Sequence, residues 1–280
     1  MRVLRFALLA LAAGPAILRG ADDDAAVPGI QDNSFLIEEA YNQDAGVVQH
    51  INMFRKDPHT GEWAANFTEE WPVGGIKHQL SYTVTYLRVN GEPGGFTGFG
   101  DLALNYRYQL VGDGESKLAI APRFTLFVPT GSPAKGLGQG GPGLQLGIPA
   151  SLVLSDRFVV HANVGVTWTS PEKDAVGDEA NAVAGYAGGS VVWLARSNFN
   201  VLVEALWSRG QLVIAPHRTR ADSSTFVSPG IRWAYGADSS KGLQVVPGIA
   251  FPVGVGASHG RYGVLVYLSF EHPFSSAANR

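Results

Sequence analysis

From about residue 47 onward the chain repeats one pattern: 9–14 residues in which apolar and polar positions alternate, then a cluster of Gly, Pro, Asp, Ser or Asn. Leu80, Tyr82, Val84 and Tyr86 share one parity, while Gln79, Ser81, Thr83 and Thr85 share the other. The next segment sets Leu102, Leu104, Tyr106, Tyr108 and Leu110 against Asp101, Ala103, Asn105, Arg107 and Gln109. Successive side chains of a strand point to opposite faces, so a period of two predicts strands with one greasy and one polar face. None of these segments shows the 3.6-residue period of an amphipathic helix. Twelve segments qualify, at roughly 45–54, 62–71, 79–89, 99–111, 117–129, 142–155, 157–169, 181–195, 198–209, 225–236, 243–255 and 262–274. The first two alternate poorly, and Glu69 falls on the apolar parity. The eighth is ambiguous in phase because Val191-Val192-Trp193-Leu194 is continuously apolar. Ten strands with a separate N-terminal piece is therefore the alternative count.

The connections alternate in length. Ser155-Asp156 and Ser197-Asn198 are tight, whereas Thr130 to Gly141, Ser170 to Ala180 and Gln211 to Ser224 read as longer polar loops. Short turns at one rim, longer loops at the other and an even strand number describe an all-β, closed antiparallel transmembrane barrel, with periplasmic turns and outer loops. Each segment also matches the 9–11 residues of a tilted membrane strand. A soluble sandwich or lipocalin-like barrel would alternate too. Against it, the apolar parity is nearly free of charge, while the opposite parity carries Arg107, Lys117, Arg123, Glu204, Arg232 and Glu271, too polar for a dry core. Aromatics of the apolar parity also crowd toward strand ends, as interfacial girdles do; Phe158, Trp168, Phe199, Trp207, Trp233 and Tyr262 are examples.

The front of the chain has a different texture. Arg2 and Arg5 precede the apolar run Phe6 to Ala13, and Gly14-Pro15 and small residues follow. This is the layout of a secretory signal over residues 1–20, too short for a spanning helix. Residues 21–44 then form an N-terminal periplasmic segment or a plug, residues 45–274 the barrel and residues 275–280 a C-terminal tail. Phe35, Leu36, Ile37 and Tyr41 give the segment an apolar character. Packing on the periplasmic rim is the simpler expectation; insertion into the lumen, as in FadL-like transporters, rests on analogy.

Composition narrows the chemistry. There is no Cys, which excludes disulfides, thiolate metal sites and Cys nucleophiles. The net charge of −3 lacks the basic footprint of a nucleic-acid binder. No pair among the seven His residues stands at metal-ligand spacing, so neither a metal nor a cofactor is expected. Gly136-Leu137-Gly138-Gln139-Gly140-Gly141 has the letters of a dinucleotide fingerprint, but Pro142 and a strand follow where a helix N-terminus is required.

The last strand, Tyr262 to Phe274, places Val264, Val266, Leu268, Phe270 and Phe274 on one parity. It resembles the closing strand of outer-membrane proteins, whose terminal aromatics, here Phe270 and Phe274, the barrel-assembly machinery recognises. His272 and the tail depart from that pattern. Ile30 to Gln43, followed by Gly46-Val47-Val48-Gln49-His50, looks like the opening of a bacterial outer-membrane family labelled transporter or "putative MetA-pathway of phenol degradation". Val128-Pro129-Thr130-Gly131 and the strand His161 to Trp168 also resemble it. The resemblance implies a barrel in the outer membrane of a Gram-negative-type bacterium, in contact with lipid and lipopolysaccharide, passing small organic solutes, aromatic or hydrophobic ones included.

In this reading Asp101, Asn105, Arg107, Arg123, His161, Asn163, Glu204, Arg232 and Glu271 line the lumen. Arg107, Arg123 and Arg232 would select anions, with Asp101, Glu204 and Glu271 as counter-charges. Catalysis is not expected. The alternatives are a phospholipase-like barrel enzyme, since His161, Asn163 and Ser151 share the inward parity, and a structural barrel.

Overall fold

The computed structural model describes residues 30, 32–91, 94–235 and 243–273. The proposed signal, Phe274 and the tail lie outside the described residues. Among those described, fifteen extended stretches form one antiparallel sheet. In chain order they are β1 (Val47–Lys56), β2 (Trp63–Pro72), β3 (His78–Val89), β4 (Phe96–Phe99), β5 (Leu102–Tyr108), β6 (Leu118–Ile120), β7 (Arg123–Val128) and β8 (Gly143–Ser155). There follow β9 (Phe158–Lys173), β10 (Glu179–Arg196), β11 (Phe199–Ala215), β12 (Arg218–Trp233), β13 (Gln244–Ala250), β14 (Val253–Gly254) and β15 (Val264–Pro273). Short interruptions split three strands, so β4 with β5, β6 with β7 and β13 with β14 each count once, giving twelve.

Closure comes from β1, which pairs with β2 on one side and with β15 on the other, for example Gln49 opposite Glu271 and Phe54 opposite Val266. The first two segments are thus part of the wall, and the ten-strand alternative falls. Among the described residues closure leaves no unpaired sheet edge, the condition for β-structure in hydrocarbon. No helix among the described residues is long and apolar enough to cross a membrane.

The predicted faces hold. Leu104, Leu144, Leu146, Ile148, Val164, Val203 and Val266 are exposed on the outside, the band that lipid covers, while Gln79, Asn105, Arg107, Thr125, His161 and Glu204 are buried inside. This places the chain in an outer membrane. In β10, Val191 and Trp193 face out, whereas Val192 and Leu194 are buried. Glu69, on the outside near the periplasmic end of β2, lies 3.3 Å from His50 Nδ1 and accepts a hydrogen bond from the Tyr82 hydroxyl.

Two predicted loops are largely strand. The ladder of β11 and β12 runs on through Gln211 opposite Ala221 and Val213 opposite Thr219, and Pro216-His217 makes the turn, with His217 in the left-handed region at φ 58°. β9 and β10 likewise leave only residues 174–178 between them. The polar stretch Arg218 to Ser224 reads as loop because it has no apolar face. Above the membrane a paired strand needs none.

Candidate functional site

Residues 30 and 32–43 have no regular secondary structure, yet Phe35, Ile37, Ala40 and Tyr41 are buried. They run inside the barrel rather than along its rim. An irregular segment leaves its amides and carbonyls without ladder partners, and burial makes each one costly. The inward side chains of the wall supply the partners. The amides of Leu36 and Ile37 donate to Glu204 Oε1 at 2.8 and 3.0 Å. Asn163 imitates a neighbouring strand, accepting from the Glu38 amide at 2.7 Å and donating to the Glu38 carbonyl at 2.8 Å. Ser151 Oγ accepts from the Ala40 amide at 2.8 Å, and Gln109 and Gln79 accept from the amides of Asn42 and Gln43.

The arginines serve the carbonyls. Arg232, 1% exposed, donates to the carbonyls of Ile30 (2.9 Å), Asn33 (2.7 Å) and Asp32. Arg107, 4% exposed, donates to those of Glu39 (3.2 Å) and Tyr41 (2.5 Å) and to Asn42 Oδ1 (2.8 Å). Arg123 is bonded to the Glu38 carboxylate and, at 3.0 Å, to Gln145. Buried guanidinium groups are tolerable only when so occupied. In return, Asp32 accepts from Tyr267 (2.6 Å), Gln49 (3.0 Å) and Ser269.

Shape complements this network. The Phe35 ring lies between Gly230 and Gly248, where a Cβ at either position would stand 2.5 Å from it. A Cβ at Gly188 would meet Ile37 at the same distance. Around Phe35, 5.5 Å from the Tyr267 ring, gather Ile51, Val192, Leu194, Leu202 and Leu265. The interior is therefore polar with an apolar layer at the level of Phe35 and two smaller apolar clusters, around Tyr41 and around Ile30. That layer explains why β1 and β10 alternate poorly: their inward residues there are apolar too.

Of the nine residues expected in the lumen, Arg107, Arg123, Asn163, Glu204 and Arg232 bond the segment directly. His161 acts through Ser151, with Nδ1 and Oγ 2.7 Å apart. Asn105 bonds Ser81 and Thr125 across the wall. Glu271 shares the inward face of Tyr267 and Ser269. Asp101 holds the outer connection, accepting from the amides of Gly131 (2.9 Å) and Gln139 (2.7 Å). The expected counter-charge pairing is corrected: Arg123 pairs with Glu38 and Arg107 lies 3.9 Å from Glu70. Sequence reasoning passed over Asp32, Glu38, Gln79 and Gln109. The signal for the last two was their inward parity; for Asp32 and Glu38 it was charge inside an apolar stretch.

Two cavities flank the segment. One, about 160 Å³, lies toward the periplasmic turns against Glu39, Tyr41, His161 and Arg232. The other, about 350 Å³, opens toward the outer end above Leu36. Burial pushes the carboxyl of Glu39, which lies outside the strands, up to about 8 against the pull of Arg232 and Arg107. Asp32 is also raised by burial, opposed by Arg232 and by its bonds to Ser269 and Tyr267. Among the described residues no cluster of His, Asp or Glu could hold a metal.

Comparison with solved structures gives the same architecture. The COG4313 outer membrane channel from Pseudomonas putida F1 matches with a TM-score of 0.61 at 13% identity, covering 84% of this chain and 98% of that one. A NanC porin matches with a TM-score of 0.54 at 9% identity, covering 81% and 100%. At these identities the likeness is one of fold. A comparison with curated proteins finds no match. The family described as "Putative MetA-pathway of phenol degradation" matches residues 26–261, and the chain belongs to that family.

Proposed function

We propose that the protein is a channel for passive passage of small organic solutes across the outer membrane, held closed in this conformation by residues 32–43. One observation carries the reading: the segment stands between two cavities, tied by side chains of at least six strands. Wall integrity requires none of these bonds, because the ladder already satisfies the wall's own backbone. Their use is to seat a segment that has alternatives to being seated. The family description, with its reference to phenol degradation, favours aromatic or hydrophobic permeants. In the seated state Arg107, Arg123 and Arg232 fix the segment, so their influence on permeating ions follows its release.

Deleting residues 30–43 tests the reading. Liposome swelling and single-channel conductance should rise while the purified barrel keeps its heat-modifiable electrophoretic mobility. Equal conductance in an intact deletion variant would remove the gating role. A barrel that fails to assemble would assign the segment to folding instead.

The Ser151–His161 contact supports a second reading, a lipid-modifying enzyme. Ser151 is 1% exposed and its Oγ already accepts the Ala40 amide, which leaves no approach for an ester. Fatty-acid release lost in Ser151→Ala would restore that reading.

A further inference from the structure

The outer cavity holds a feature that the seating network does not use. Arg55, at the outer end of β1 on the inward parity of Ile51 and Met53, and Arg261, before β15, both border it. The Arg261 guanidinium lies over the inward ring of Phe226, 5.3 Å from its centroid. None of the ion pairs among the described residues includes Arg55 or Arg261. Of the two acids on the same rim, Asp57 accepts the amides of His59 and Thr60 and also attracts Arg55, and Glu62 accepts the amide of Asn90 from the next outer loop. With Lys56 and Arg88 beside Arg55 and Arg261, and only Asp57 and Glu62 against them, the border of this partly enclosed space carries a surplus of positive charge that favours an anion. Below this border the floor is apolar, formed by Leu36 of the segment and Leu206 of β11.

We propose that this cavity is an entry site for a small aromatic or similarly apolar carboxylate. Its carboxylate group lies between Arg55 and Arg261, and its ring lies against Phe226, Leu206 and Leu36. The proposal rests on the channel reading and names its solute class. A volume near 350 Å³ is at the small end of ligand sites and suits one ring with its acid group. The planar guanidinium fork matches a carboxylate and also stacks on aromatic faces, which an ammonium does less well. Because Leu36 is both floor of the site and part of the segment, a ligand there touches the element that closes the barrel.

The test is calorimetric titration of the detergent-purified full-length chain with benzoate, and with benzyl alcohol as the neutral counterpart. Benzoate should bind the parent more tightly than benzyl alcohol. The double variant R55Q/R261Q should weaken benzoate at least tenfold and leave benzyl alcohol unchanged, while Arg209→Gln, an exposed charge of β11, should change neither. Absence of benzoate binding to the parent, or undiminished binding to an intact double variant, would overturn the proposal. If the double variant does not assemble, the single variants Arg55→Gln and Arg261→Gln are read by the same criterion. Binding is measured without flux. If benzoate binds but no solute crosses liposomes, the channel reading fails and the site stands.

Discussion

Truncating Phe35 to Ala attacks the seated segment at its best-packed point. Phe35 is 3% exposed, and two of the positions facing it are Gly230 and Gly248, which carry no side chain that could swing in to fill the space, while Ile51, Leu202, Leu265 and Tyr267 bound the site from strands of the closed wall. The hole therefore closes only in part, and the cost belongs with large-to-small core changes, about 3–5 kcal/mol for Phe→Ala. At the low end, about 3 kcal/mol is roughly two powers of ten in the ratio of seated to unseated segment. The wall itself loses no ladder bond. Because the chain has no Cys, a single Ser34→Cys thiol reports the event directly: Ser34 is 2% exposed beside Ser190, and a maleimide reaches it only when the segment leaves. With opening fast relative to labelling, the rate follows the unseated population. Adding Phe35→Ala should accelerate labelling on the order of a hundredfold and raise the open probability in planar bilayers. An unchanged rate in an intact, heat-modifiable barrel would show that Phe35 does not hold the segment.

Further expectations address the charges and the outer face. Arg232→Gln removes the charged donor from three carbonyls, each such bond being worth about 1.5–3 kcal/mol, and should raise conductance; unchanged conductance would refute its seating role. For Glu39, burial favours the protonated form, so its contribution to seating is complete below about 4.5 and is lost as pH rises to about 8. Open probability should therefore climb across that window, and Glu39→Gln should shrink the climb; Arg232, Arg107, Asp32 and Glu271 act on the same group. Leu146→Arg on the lipid face should cost about 2–4 kcal/mol in equilibrium folding into bilayers, while Leu146→Phe should be nearly neutral.

Much of this architecture was legible as alternation. The twelve strands, their outward faces and the inward placement of Arg107, Arg123, His161, Asn163, Glu204 and Arg232 follow from parity, because hydrocarbon outside and a polar lumen impose a period of two on every crossing. Parity failed where the two sides of the wall were equally apolar. Val191 to Leu194 and the first strand look ambiguous because Ile51, Val192 and Leu194 face the Phe35 layer instead of water. The hairpin beyond Gln211 was hidden for the opposite reason, since both of its faces are solvated.

What alternation does not encode is what an inward side chain touches. Arg232 and Glu204 read as lumen charges free to meet a permeant; only the closed barrel brings them to the carbonyl of Ile30 and the amide of Leu36, roughly 170 to 200 residues away in sequence. The placement of residues 32–43 is likewise a tertiary outcome. A short apolar stretch suits a rim as well as a lumen until three glycines on separate strands shape space for Phe35 and Ile37. Local pattern fixes which way a side chain points, because the strand's geometry is local. Its partner is fixed by closure, which joins residues that no short window of sequence contains.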